Sequence, residues 1–361
     1  MNSVISKLRT PEYLVCILGV LFCGIWCGNG VDITHFVTHA IAVVVFSLLS
    51  ILFTMRVKIK YFKILGIILP LYSVILAIMA FFIENNEAVK GWLSFENVSL
   101  NVPACLAITY AFVVSLFASM INSYSSKEID TYYYYKLFVG GILLILISLF
   151  NFSLCLFMIF GALAGLFASG LIKHKWSVLV ALLMGMCVLV FVTGASIVAI
   201  DKALNNNHTE FTHDDKVVTE QKILYRIGVW SDRITDMCGL SDNSQEIHTV
   251  KVVKPESMHP KTTVFFHLRK HLGTWAYCLP LLILGALVRI TSKNLKYSDM
   301  VYRKILGNTM SCCLFMIAVS DMIYPNSNTM SGVSFGFTSL MVGVICACLR
   351  ANRLDNEKLY S

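Results

Sequence analysis

The chain has 361 residues, of which 57% are hydrophobic and only 14% charged, and its net charge is +8. A soluble domain carries about 25% charged residues, so this chain lacks the polar surface to cover a water-facing core, and lipid must solvate most of it. The positive charge does not point to nucleic acid, because the Lys and Arg residues stand in short clusters between apolar runs, the pattern that sets membrane orientation.

About ten apolar runs of roughly 17–25 residues are each long enough to cross a bilayer as a helix. Lys7 and Arg9 precede the first, at about 13–27. The stretch from Leu21 to Trp26 has no small-residue cleavage site, so this run is expected to be a retained span. The second covers about 36–55, and Arg56, Lys58, Lys60 and Lys63 follow as an inside cluster. The third covers about 64–83, followed by an outside loop with Lys90 and Trp92. The fourth covers about 103–121, and the loop after it carries Lys127, Tyr132–Tyr135 and Lys136, with the four tyrosines read as an interfacial belt. The fifth and sixth (about 137–152 and 154–172) have almost nothing between them. In the sixth, Gly161 and Gly165 form a small-xxx-small pair suited to close helix approach. Lys173 and Lys175 precede the seventh, at about 176–200.

The polar segment 201–270 comes next and is the only long water-compatible passage. The eighth span (about 272–288) leads to Arg289, Lys293, Lys296, Arg303 and Lys304; the ninth covers about 305–324 and the tenth about 333–349, ending in Arg350, Arg353 and Lys358. On this threading the inside segments hold 18 Lys and Arg residues, the short outside loops one, and the long loop the remaining ten of 29. Ten spans with both termini cytoplasmic put the long loop outside. The expected fold is therefore all-α: one polytopic transmembrane domain over residues 1–361, with a large outer loop between helices 7 and 8.

All but one of the twelve Cys, Cys238, fall inside apolar runs and read as packing residues; Cys312–Cys313 and Cys346/Cys348 supply too few ligands for zinc. Asp321 is the one acid expected within a span, about a turn from its outer end, where it can snorkel to water. His35/His39 and His267/His271 have metal-compatible i,i+4 spacing but no HExxH or carboxylate partner, so packing or hydration is the expected role. Walker-type phosphate loops and nucleophile elbows are absent from the sequence.

Within the outer loop, residues 217–237 have helical periodicity. Ile223, Ile227, Trp230, Ile234 and Met237 make one apolar stripe, and Arg226 and Arg233, seven apart, share a flanking face. Spacing alone favours an interfacial helix with solvated arginines. The sharper reading has the two guanidiniums hold a phosphate or pyrophosphate through their planar donor forks.

These features together resemble the SEDS family of FtsW, RodA and SpoVE type, which polymerises lipid II into glycan strands. Gly91-Trp92-Leu93-Ser94-Phe95 followed by Pro103 resembles the family's Arg-Trp segment and Gln-Pro-Ser-Glu motif. Arg226-Ile227, Trp230 and Arg233-Ile234 resemble its paired-arginine helix, Gln245 the glutamine that follows, and Leu272-Gly273 the end of its Glu-Glu-Leu-Gly motif. Pro325 and the run Ser334-Phe335-Gly336-Phe337-Thr338-Ser339-Leu340 resemble its closing motif. By this resemblance Trp92, Trp230, Gln245, Ser334, Gly336 and Ser339 are candidates for the substrate cavity, and Arg226 and Arg233 for the lipid pyrophosphate.

The departures concern chemistry. Where the family has an essential Asp, this chain reads Lys261-Thr262-Thr263-Val264-Phe265-Phe266. Lys270 and His271 replace two Glu, and the Glu and Lys of the Gln-Pro-Ser-Glu region fall on Cys105 and Ile108. A base that takes the attacking hydroxyl's proton contributes about 10²–10⁴-fold, and no acid here aligns with it; Asp232, Asp236, Asp242 and Glu246 stand nearby.

The resemblance implies a multi-pass protein of the bacterial inner membrane that works in peptidoglycan assembly during division or elongation. Its expected partners are membrane lipid, lipid II or another undecaprenyl-linked precursor, and a class B penicillin-binding protein. No cofactor is expected, although a pyrophosphate ligand leaves room for a divalent cation. Lipid II polymerisation, an inactive precursor-binding or scaffold role, and a transporter or lipid-linked oligosaccharide polymerase all stay open at this point.

Overall fold

The computed structural model describes residues 45, 48–82, 92–95, 98–123, 131–170, 176–205, 231, 275–323 and 337–360. The first predicted span, the start of the second and nearly all of the 201–270 loop lie outside them. The described residues form α1 (48–56), α2 (Ile59–Phe82), a hairpin of β1 (Trp92–Phe95) and β2 (Val98–Asn101), then α3 (Val102–Ser123), α4 (Thr131–Phe150) and α5 (Phe152–Ala168). They continue with α6 (Trp176–Asn205), α7 (Trp275–Leu295), α8 (Val301–Ile323) and α9 (Phe337–Tyr360).

Two of these helices, over Ile59–Ala80 in α2 and Val102–Met120 in α3, are long and apolar enough to cross a membrane. α3 is enclosed, with every residue from 102 to 116 buried. Taken alone, it would serve equally as the core helix of a soluble protein. α2 differs. Ile64, Ile67, Ile68, Leu71, Ile75 and Ile78 are exposed along one face, while Phe62, Leu76, Ala77 and Ala80 are buried on the other. A helix apolar on both faces has no side for water. Phe53, Ile142, Phe160, Phe167, Val188, Phe191 and Leu282 on other helices are exposed as well. In water a surface of that kind drives aggregation; against acyl chains it is an ordinary outer wall. Both observations give the chain a membrane character.

The inner packing is organised around α8, which lies against α5, α7, α3 and α9. α5 runs antiparallel to it, with Gly161 facing Cys313, Gly165 facing Thr309 and Gly170 nearest Lys304. A Cβ at Gly161 would sit 3.0 Å from the Cys313 Cα, and one at Gly165 2.8 Å from the Thr309 amide nitrogen. The small-xxx-small pair read from the sequence is thus the line along which two backbones touch. Across the bundle α2 and α3 are antiparallel, Gly66 facing Phe112 and Leu116 while Ser73 meets Thr109.

The α4–α5 connection is a single residue, as the near-absence of a linker suggested. Asn151 has extended backbone (φ −154°, ψ 94°) and its side-chain oxygen accepts from the Leu154 amide at 3.0 Å. This N-cap satisfies a donor that apolar surroundings would otherwise strand. α5 ends at Ala168, and two residues on Gly170, with a φ of +74° in the left-handed region, closes the turn by donating its amide to the Phe167 carbonyl at 2.9 Å.

Several expectations change. The described residues are helical as expected, with one short addition: the loop after the third predicted span contains a two-stranded antiparallel hairpin, with Trp92 opposite Asn101, Leu93 opposite Leu100 and Phe95 opposite Val98. Leu93 is buried, which gives the short ladder an apolar anchor. The tyrosines at 132–135 belong to the first turns of α4 rather than to a loop. Helices also outlast the apolar runs. α6 continues to Asn205 and carries Asp201, buried, inside it; α7 takes in Arg289 and Lys293; α9 continues to Tyr360. Hydropathy marks where lipid ends, whereas a helix continues until a breaker appears, and Asp, Lys, Ala and Leu at 201–204 are not breakers.

Candidate functional site

Of the residues singled out in the sequence, Arg226, Trp230, Arg233, Gln245, Ser334 and Gly336 lie outside the described residues. Beside Trp230, Ser231 is helical and buried. Trp92 opens β1 and pairs with Asn101, the residue that leads directly into α3. Ser339 is buried in the first turn of α9. Asp321 stands in the last turn of α8. The histidine pairs lie outside the described residues, and within them no group of three or more His, Cys, Asp and Glu gathers to hold a metal.

Cys105 and Ile108, the two positions singled out in the sequence as lacking charge, are described, and both are buried at 2% exposure on α3. Among the described residues, the polar groups bonded around Cys105 are neutral. Ser73 of α2 shares a hydrogen bond with Thr109, Thr109 donates to the Cys105 carbonyl at 2.8 Å, and the Ser73 hydroxyl lies 3.4 Å from the Cys105 sulfur. This triad joins two helices as polar glue. All its members have partners, so it is structural rather than a poised reaction centre.

The charged chemistry among the described residues gathers at the other end of the bundle. Four contacts bring the helix ends together there. Lys63 at the start of α2 lies over the Tyr302 ring, 5.3 Å from its centroid; Arg303 pairs with Asp355 of α9; Asn352 of α9 donates to the Asn294 carbonyl of α7 at 2.9 Å; and Lys304 approaches Gly170 at the end of α5. In the sequence Arg303 is one member of the basic cluster between the eighth and ninth predicted spans. The structure separates it from the rest: Arg289, Lys293 and Lys296 are exposed, whereas Arg303 is 1% exposed and the largest fully buried side chain described. A signal for this is present in the sequence. Leu306, Met310, Cys313 and Ile317, all completely buried, repeat at steps of four and three, and one step back along that stripe falls on Arg303.

Buried charge needs full pairing to be tolerated. Arg303 has one carboxylate partner, Asp355, whose side chain is 45% exposed and therefore shares its charge with water. Among the described residues the Arg303 Nε and Nη1 have no hydrogen-bond partner, nor do the buried Tyr302 hydroxyl and Ser298 hydroxyl. Burial, chiefly, pushes the Tyr302 phenol well above its ordinary range, so it remains a proton donor.

No family model matches the chain, and no curated protein matches it.

Proposed function

We propose that this chain is a divergent SEDS-type membrane protein of a bacterial inner membrane, with ten spans and both termini cytoplasmic. On this reading it works in peptidoglycan assembly. It binds a lipid-linked precursor such as lipid II through Arg226 and Arg233 of the outer loop and serves beside a class B penicillin-binding protein. Support for the family comes from motifs in the same order along nearly the whole chain. Support for the membrane setting comes from the apolar outer wall of α2 and its neighbours.

One observation favours binding over polymerisation. Cys105 and Ile108, where the family carries a Glu and a Lys, are sealed into a helix whose buried polar groups are neutral and hydrogen-bonded. Replacing a catalytic region by apolar packing removes the charge that glycan transfer needs while leaving the surrounding helix packing intact. The absence of an aligned carboxylate before the eighth span acts in the same direction. Paired arginines need no base to hold a pyrophosphate.

Polymerisation is the second reading, favoured by the acids Asp232, Asp236, Asp242 and Glu246 close to the two arginines in sequence. A transporter has less support: midplane sites of that class use interrupted helices, and α2 to α9 each run unbroken where described.

The test is made on the purified full-length protein with lipid II, with and without a class B penicillin-binding protein. Saturable binding that falls in Arg226→Ala and Arg233→Ala, with no glycan product, is the expected result. Strand synthesis abolished by changing one loop acid would replace the binding reading with the enzymatic one. Absence of both binding and synthesis would overturn the family assignment.

A further inference from the structure

The unfilled hydrogen-bonding capacity around Arg303 has a definite chemistry. Nε carries one N–H and Nη1 two, so three donors of a buried guanidinium are open. The Tyr302 hydroxyl and the Ser298 hydroxyl are two more buried groups without partners among the described residues, one adjacent to Arg303 in sequence and one five residues before it in the connection that leads into α8. Lys63 supplies a second positive charge from α2, and the only carboxylate bonded to Arg303 is half in water. Buried polar atoms without partners in a native protein call for a missing partner. Donors in excess under net positive charge call for an oxyanion with several acceptor oxygens.

The surroundings narrow the class of ligand. Lys63 is exposed, and Ile67 and Leu71, one and two turns further along the same face of α2, are exposed as well. A cationic corner therefore opens directly onto an apolar strip. The Lys63 side chain, a flexible stem, lies over the Tyr302 ring and can swing aside to admit a headgroup. Basic pockets between helix ends are a general mode of recognising anionic headgroups.

We propose that this corner binds the phosphate group of an anionic membrane lipid. Arg303 and Tyr302 donate from within the helix packing, Lys63 is the outer counter-charge, and an acyl chain lies along the Lys63–Ile67–Leu71 face of α2. The proposal rests on the membrane character of the chain and not on the precursor reading.

The experiment uses the full chain in neutral detergent, with phosphatidylglycerol, phosphatidylcholine and inorganic phosphate as separate probes. Retained lipid is measured by native mass spectrometry, and the melting temperature is followed in parallel. The expected result is preferential retention of phosphatidylglycerol over phosphatidylcholine. Tyr302→Phe and Lys63→Gln each weaken it about tenfold, the scale of one charge-assisted hydrogen bond, while the melting temperature without lipid is unchanged. Arg303 is left in place because its removal also breaks the pair with Asp355, which would mix a change in the α8–α9 contact with the change in lipid retention. Protection by inorganic phosphate alone, lost in the same variants, would keep the phosphate site and assign it to a soluble ligand. Equal retention of both lipids, or retention unchanged in both variants, would overturn the proposal. Failure of lipid II binding leaves this test untouched. Recovery of the chain in the aqueous phase without detergent would overturn the membrane setting of both.

Discussion

Gly165 of α5 rests against the backbone of Thr309 in α8, so close that a Cβ at Gly165 would stand 2.8 Å from the Thr309 amide nitrogen and 3.0 Å from its Oγ1. One turn earlier, Gly161 meets Cys313 with slightly more room. Neither neighbour can give way easily, because the atoms met are mostly main chain. Gly165→Ala is expected to destabilise the protein by about 1–3 kcal/mol, the usual scale of overpacking, and Gly161→Ala by less. Thermal unfolding in detergent reads the order; equal costs at both positions would contradict the register.

Arg303 and Asp355 present an asymmetric pair, one buried and one half-exposed. Removing the carboxylate leaves a guanidinium buried without its counter-charge, whereas an apolar residue of similar size in place of the arginine leaves only a solvated acid. Asp355→Ala is therefore expected to cost more stability, about 1–3 kcal/mol, than Arg303→Met. Adding Arg303→Met to Asp355→Ala should recover part of the loss. A denaturation series on the two single variants and the double variant checks this, and fails the argument if Arg303→Met alone is the worst.

At Cys105 the structure predicts the outcome of introducing a carboxylate. A carboxylate in a site where Ser73 and Thr109 already satisfy each other has no cationic partner among the described contacts. Cys105→Glu is expected to cost about 2.5–3.5 kcal/mol, the scale for an acid within a membrane helix, and to lower the yield of folded protein without creating glycan synthesis. Ser73→Ala is expected to cost only about 0.6 kcal/mol, as interhelical hydrogen bonds in membranes typically do. A folded, stable Cys105→Glu protein would remove the main reason for preferring a binding role.

The one-residue joint at Asn151 makes a smaller prediction. Asn151→Ala loses the acceptor for the Leu154 amide and should cost about 1 kcal/mol. Asn151→Asp and Asn151→Ser, which keep an acceptor oxygen, should cost less. Melting temperatures of the three variants in the same detergent test the ranking.

Local patterning carried much of this architecture. Apolar run lengths marked where α2 to α9 lie, the missing linker placed α4 next to α5, and the Gly161/Gly165 spacing identified a close contact before its partner was known. These properties are legible because hydropathy and residue size act on the segment that bears them. The hairpin at Trp92–Asn101 was not legible, since strands of four residues are too short for periodicity to stand out. Nor were the helical extensions into residues 201–205, 289–295 and 350–360, where polar residues continue a helix that lipid no longer requires.

Among the described residues, the contrast between local pattern and tertiary environment is sharpest at the basic clusters. In the sequence Arg303 is one of five cations between the eighth and ninth spans, set apart from Lys293 and Lys296 only by its register with the apolar stripe Leu306, Met310, Cys313 and Ile317. That register places it on the inner face of α8, but tertiary packing decides that the face is sealed, because the helices that enclose it arrive from far along the chain: α9, whose Asp355 it meets, lies some fifty residues away in sequence. Charge and hydropathy are written residue by residue, but desolvation depends on which distant surfaces meet, and that follows only from the packed bundle.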